Sequence, residues 1–156
     1  IYTAYFTYAA NRHLKIIDAI IAVARSIKEM DAVFRRFQSL QIKQTPAQYE
    51  GGDFVTFVGY ERAEATGFLQ DLAATRIEFG LRWKTYKPLL PIDVRLNLQK
   101  LEKIIGEFEG SFSGRVGVHR DTKEDNGLRE IFLEIQDSIA AIDSQFDGLV
   151  NCKLSK

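Results

Sequence analysis

A chain of 156 residues, 46% hydrophobic and 27% charged, has enough apolar material for one continuous core and too much to be a disordered tail. Its 21 basic residues balance 21 acidic ones, so no bulk field draws it to nucleic acid or to an acidic membrane surface. The single cysteine, Cys152, cannot close an internal disulfide, and with His13 and His119 as the only histidines no zinc site is expected, nor any cofactor.

No apolar run reaches the roughly 18 residues of a transmembrane helix. The first turns nevertheless read Ile1-Tyr2-Thr3-Ala4-Tyr5-Phe6-Thr7-Tyr8, with Arg12, His13 and Lys15 close behind. Aromatics followed by basic residues match the edge of a membrane interface, which suggests a transmembrane helix preceding Ile1. An amphipathic helix packing its aromatics into a soluble core explains the same order.

The first helix is expected across residues 3–42. Its stripe is Tyr2, Phe6, Ala9, His13, Ile16, Ile20, Val23, Ile27, Met30, Phe34 and Phe37, spaced alternately by four and three. Arg25, Lys28, Arg35 and Arg36 fall outside that seam. Next, Gln44-Thr45-Pro46-Ala47-Gln48 offers an N-cap Thr and a Pro at the first helical position, so a single helical turn ending at Gly51-Gly52 is expected. Phe54 to Val58 is β-prone but has no evident partner, and is read as leading into the second helix.

That helix, residues 58–87, carries Ala65, Leu69, Leu72, Arg76, Phe79, Trp83 and Tyr86 on one face and stops before Pro88. After the corner Leu89-Leu90-Pro91, the third helix, residues 92–115, aligns Val94, Leu98, Leu101, Ile105, Phe108 and Phe112. Gly106, Gly110 and Gly114 make a second row, read either as a surface for close helix approach or as a weakened, bent helix end. The fourth helix, residues 127–150, aligns Leu128, Ile131, Ile135, Ile139, Ile142, Phe146 and Leu149. Four amphipathic segments with short connections predict an all-α, antiparallel up-down four-helix bundle.

Enzyme motifs fail on context. His119-Arg120-Asp121 with Asn126 matches a kinase catalytic loop, yet the phosphate loop, strand lysine and magnesium motif of a kinase are missing. Glu102, Glu107, Glu109, Glu134, Asp137 and Asp143 lie off the apolar stripes and read as a solvated face. No catalytic constellation stands out, and the expected chemistry is binding alone.

Two polar residues interrupt the seams, His13 and Arg76. An arginine in a seam needs a partner. Counting back from the Pro88–Pro91 corner sets Arg76 level with Glu102; counting from the connection near residues 43–57 sets it level with Ala24 and Arg25. Arg76 is therefore either in an ion pair with Glu102 or the anchor of an anion-binding cleft, with Arg25 or Lys28 as second cation and Ala24, Ala73 and Ala74 leaving room. His13 is a helix-end or interface histidine and a minor candidate ligand.

Ile105-Gly106-Glu107-Phe108-Glu109-Gly110-Ser111-Phe112, then Glu124-Asp125-Asn126 followed by Gly127-Leu128-Arg129 and Ile142-Asp143, resembles the helical bimodular sensor family of bacterial chemoreceptors and sensor kinases. Ala24-Arg25 and the stretch Glu29 to Arg36 look like a degraded form of that family's arginine-containing first helix. Family domains are commonly longer by two helices, so the resemblance implies either one four-helix domain or part of a two-module bundle. It also implies an extracytoplasmic, periplasmic receptor domain that binds a small carboxylate or amine and pairs as a homodimer, touching the membrane only through flanking transmembrane helices. Combined with Arg76, it favours a small organic anion as ligand. The rival expectation is a cytoplasmic helical adaptor that binds a partner helix and no small ligand.

Overall fold

The computed structural model describes residues 2–40, 42–48, 54–116 and 123–154. Four helices dominate it: α1 (Tyr2–Ser39), α2 (Arg62–Tyr86), α3 (Ile92–Ser113) and α4 (Lys123–Leu154). Each packs on its neighbours in chain order, and α4 closes the ring against α1. Side-chain pairs fix the directions. Arg36 near the end of α1 pairs with Asp71 in the first half of α2; Arg76 and Lys84 of α2 meet Glu109 and Glu102 of α3 in reverse order; Asn97 of α3 donates to Gln145 of α4 at 2.9 Å. The bundle is all-α and antiparallel, with the α2–α3 seam opposite the α4–α1 seam.

The period of the apolar residues explains which faces are buried. All six stripe residues of α3 are at most 1% exposed. On α4, Leu128, Ile135, Ile139, Ile142 and Phe146 are buried, joined by Phe132 from beside the stripe. On α2 the stripe shifts slightly, since Phe68 is buried and Leu69 only half-buried. On α1 the stripe is buried from Ile20 to Phe34, whereas Ala4 and every residue from Thr7 to Arg12 are exposed.

Between α1 and α2 the expectation of a helical turn at 44–48 is overturned. Ile42–Gln48 forms β1 and Phe54–Tyr60 forms β2, an antiparallel pair running from Ile42 opposite Tyr60 to Gln48 opposite Phe54. The β-prone run does have a partner. Pro46, opposite Thr56, was the misleading residue: in a two-stranded ladder both strands are edges, so a proline's missing N–H is tolerated. Because Val58 to Tyr60 is spent on β2, α2 begins at Arg62 and not at 58. Tyr60 also bridges Val116, its N–H donating to the Arg115 carbonyl, which ties the base of the hairpin to the end of α3.

Other boundaries move less. α1 ends at Ser39, three residues before the expected 42, and α3 at Ser113, while α4 starts at Lys123 and runs through Gly127 to Leu154. The expected helix stop at Gly51-Gly52 and the segment His119-Arg120-Asp121 lie outside the described residues. At the corner, Lys87–Leu89 is a 3-10 turn, and Pro91 holds Leu90 extended before α3 begins. No helix among the described residues is long and apolar enough to cross a membrane.

The two ends of the bundle are filled differently. At the hairpin end Phe34, Phe37, Phe68, Phe108, Phe112, Phe132 and Tyr60 form an aromatic plug, with Phe34 and Phe37 each 5.1 Å from Phe108 in edge-to-face contact, Phe132 5.2 Å from Phe37 and Tyr60 4.8 Å from Phe112. At the corner end the core is mainly aliphatic, including Ile20, Leu90, Val94, Leu98 and Ile142.

Candidate functional site

The α2–α3 seam opens into a groove of about 720 Å³ beside the corner. Its walls are Arg76, Trp83, Lys84 and Lys87 from the α2 side, and Ile92, Arg95, Leu96, Gln99, Glu102 and Lys103 from α3. Five cations line it against one carboxylate, and with Arg76 also paired to Glu109 an excess of three positive charges remains in a chain whose net charge is zero. Local helical spacing creates this. Lys84 in the last turn of α2 and Lys87 at the start of the 3-10 turn sit three apart, while Arg95, Gln99 and Lys103 recur every four residues along α3, so both rows face the seam.

Two internal carboxylates meet part of that charge. Arg76 Nε donates to Glu109 Oε2 at 2.9 Å, with side-chain exposures of 31% and 16%. Glu102 accepts from Trp83 Nε1 at 2.9 Å and from Lys84 Nζ at 3.1 Å. Lys87, Arg95 and Lys103 complete the basic wall, and Arg95 Nε is shielded from solvent with no hydrogen-bond partner among the described residues. Ile92 and Leu96, 67% and 60% exposed, add an apolar lip. Such a surface can attract an anion, fork onto it through guanidinium groups and pack an aliphatic portion beside it.

Arg76 lines this groove, but its partner is Glu109 and not the expected Glu102. Side chains lean toward the N-terminus of their own helix. Arg76 therefore reaches away from the corner while Glu109 reaches toward it, and a count from the corner that ignores this tilt lands two turns short. Glu102 and Glu109, read as parts of a solvated face, are half-buried in the seam; Glu107, Glu134, Asp137 and Asp143 are exposed as expected.

The other expected ligand residues are not brought to Arg76. Arg25 and Lys28 are exposed on α1, and no α1 residue lines the groove. The Arg36–Asp71 pair sets α1 about two turns out of the register that paired Arg76 with Arg25. Lys28 lies instead near Asp143 of α4. His13 is half-buried on α1, before the continuous core begins.

Lys84, Lys87, Arg95 and Lys103 are absent from the residues expected at the site because they flank an apolar stripe and do not break one. The available signal was the cluster of cations on both sides of the Pro88–Pro91 corner.

Beyond the Arg76–Glu109 pair the seam continues as a shallow trough of about 480 Å³ lined by Leu69, Ala73, Gly106, Glu109, Gly110 and Ser113. A Cβ at Gly106 or Gly110 would meet nothing within 4 Å, so the glycine row opens the seam to solvent and does not bring two helices into close contact. Among the described residues no group of three His, Cys, Asp or Glu could hold a metal ion. Comparison with known protein families, with curated proteins and with solved structures found no match.

Proposed function

We propose that the chain is the signal-sensing domain of a bacterial transmembrane receptor, a chemotaxis receptor or sensor kinase, and that it binds a small organic anion in the α2–α3 groove. The observation that carries this reading is the concentration of Arg76, Lys84, Lys87, Arg95 and Lys103 around one concavity of a chain whose net charge is zero. Binding at a seam between helices suits a sensor. A ligand that bridges α2 and α3 favours one arrangement of the pair over another, and that differential affinity is the signal. α1, packed along α2 and extending past the core through exposed turns from Thr7 to Arg12, is the natural carrier toward a membrane. The periplasmic location and the homodimer belong to the same proposal.

Thermal unfolding against a panel of organic acids, amino acids and polyamines at fixed ionic strength is the test, because a ligand that binds the folded state alone must raise the midpoint. Carboxylates are expected to raise it, and the rise is expected to vanish in the triple variant Lys87→Gln, Arg95→Gln, Lys103→Gln. A panel in which no anion moves the midpoint would overturn the reading.

A further inference from the structure

Glu102 is the one carboxylate among the groove-lining residues, and the fold goes to unusual lengths to place it. Its side chain is 24% exposed. Oε2 accepts from the Trp83 indole and Oε1 from Lys84. Behind it stands Gly80, where an added Cβ would lie 2.8 Å from Oε1 and 3.3 Å from Cδ. A residue with no side chain on α2 thus lets a carboxylate from α3 sit flush against the α2 backbone, inside a basic concavity. Glu109, the other carboxylate of the seam, differs: it neutralises Arg76 from the adjoining trough and does not line the groove.

We propose that Glu102 is a built-in competitor for the groove's ligand, an internal carboxylate that holds Lys84 until an incoming anion displaces it. This rests on the anion-binding reading above and deepens it. An intramolecular carboxylate acts at a high effective concentration. An anion must therefore outbid it through several cations at once, using Lys87, Arg95 and Lys103 together with Lys84, and a weak singly charged anion is rejected. Displacement also removes the acceptor of the Trp83 indole. The exchange is thereby coupled to the last turns of α2, and Glu102 is a specificity and positioning residue for the site.

Trp83 is the chain's sole tryptophan, so its emission reports the exchange directly. The experiment is a fluorescence titration with citrate, and separately with inorganic phosphate, of the wild type, Glu102→Gln and Gly80→Ala at fixed ionic strength. Glu102→Gln keeps an oxygen acceptor for the indole and loses the competing charge. It is expected to bind citrate roughly tenfold or more tightly than wild type, the scale on which one charge a few ångströms away moves an ionic equilibrium. Gly80→Ala, whose new methyl group pushes the carboxylate off Trp83, is expected without any anion to show the emission of citrate-saturated wild type.

Equal or weaker citrate affinity in Glu102→Gln, with wild type binding, would overturn the competitor role and leave the anion site standing. Failure of every protein to bind either anion would overturn both. If Glu102→Gln does not fold, Gly80→Ala decides: emission unchanged from that of ligand-free wild type is the overturning result.

Discussion

The hairpin end and the corner end of the same bundle are built on opposite terms. At the hairpin end, seven aromatic rings from four helices and β2 interlock, and the hairpin base is tied to the end of α3 through Tyr60 and Arg115. At the corner end, α2 and α3 part far enough to leave a groove, and charged side chains take the place of packing between them. Aromatic contacts add to area burial, whereas charge pairs at a wet seam contribute little net stability. One end is closed by interlocked rings, whereas the other carries a charged groove beside a fully buried, mainly aliphatic core.

The largest expected effect is at the plug. Phe108 is fully buried and touches Phe34, Phe37, Phe68 and Phe112. Phe108→Ala should cost about 3–5 kcal/mol in urea unfolding. Removing groove cations should leave stability almost untouched, with Lys103→Gln costing roughly 0.5 kcal/mol or less. A Phe108→Ala loss no greater than that of Lys103→Gln would erase the distinction between the ends.

Arg76 lies between the two regimes. Arg76→Ala leaves the Glu109 carboxylate, 16% exposed and with Oε1 already lacking a hydrogen-bond partner among the described residues, without its cation. The expected cost is about 1–3 kcal/mol. A double-mutant cycle with Glu109→Gln checks it: the double variant should lose less than the sum of the singles, and strict additivity would show that the pair is not coupled.

The same division governs what could be read in the sequence. The stripe of α3 was legible residue by residue because Val94 to Phe112 alternate by fours and threes with no competing signal, and full burial follows. The hairpin was not, because Thr45-Pro46 imitates a helix start and because β pairing depends on a partner that local pattern does not announce. Arg76 was recognisable as a residue needing a partner, yet its partner depends on helix tilt and side-chain lean, which spacing does not encode. The groove was least legible. Lys84, Lys87, Arg95 and Lys103 look like ordinary surface cations until two helices bring their rows together.

The groove cations can also be taken separately. In the thermal assay, Arg95→Lys keeps the charge but loses the planar fork, so an organic anion that stabilises wild type should raise its midpoint less. Arg95→Gln should reduce the rise further. Equal rises in all three proteins would mean that Arg95 takes no part in binding.

The smallest expected effect sharpens the contrast from the far side of the bundle. Across the α4–α1 seam, opposite the basic groove, Asp143 has its carboxyl pKa raised, chiefly by burial, with Asp147 and Asp31 adding to the rise and Lys28 opposing it. A raised folded-state pKa means that the charged form is less favourable in the fold than in the unfolded chain. Asp143 therefore costs stability above that pKa. As pH falls through it, the native state takes up the proton first and the cost is relieved. Asp143→Asn should stabilise the protein at pH 7 by roughly 0.5 kcal/mol or less, since burial shields the carboxyl only in part and the residue still reaches solvent, which screens it. The gain should fade as pH is lowered, and added salt should shrink the part owed to Asp147 and Asp31. Urea unfolding of both proteins between neutral and acidic pH checks the sign: a variant less stable than wild type at pH 7 would mean that Lys28 outweighs burial and the two aspartates.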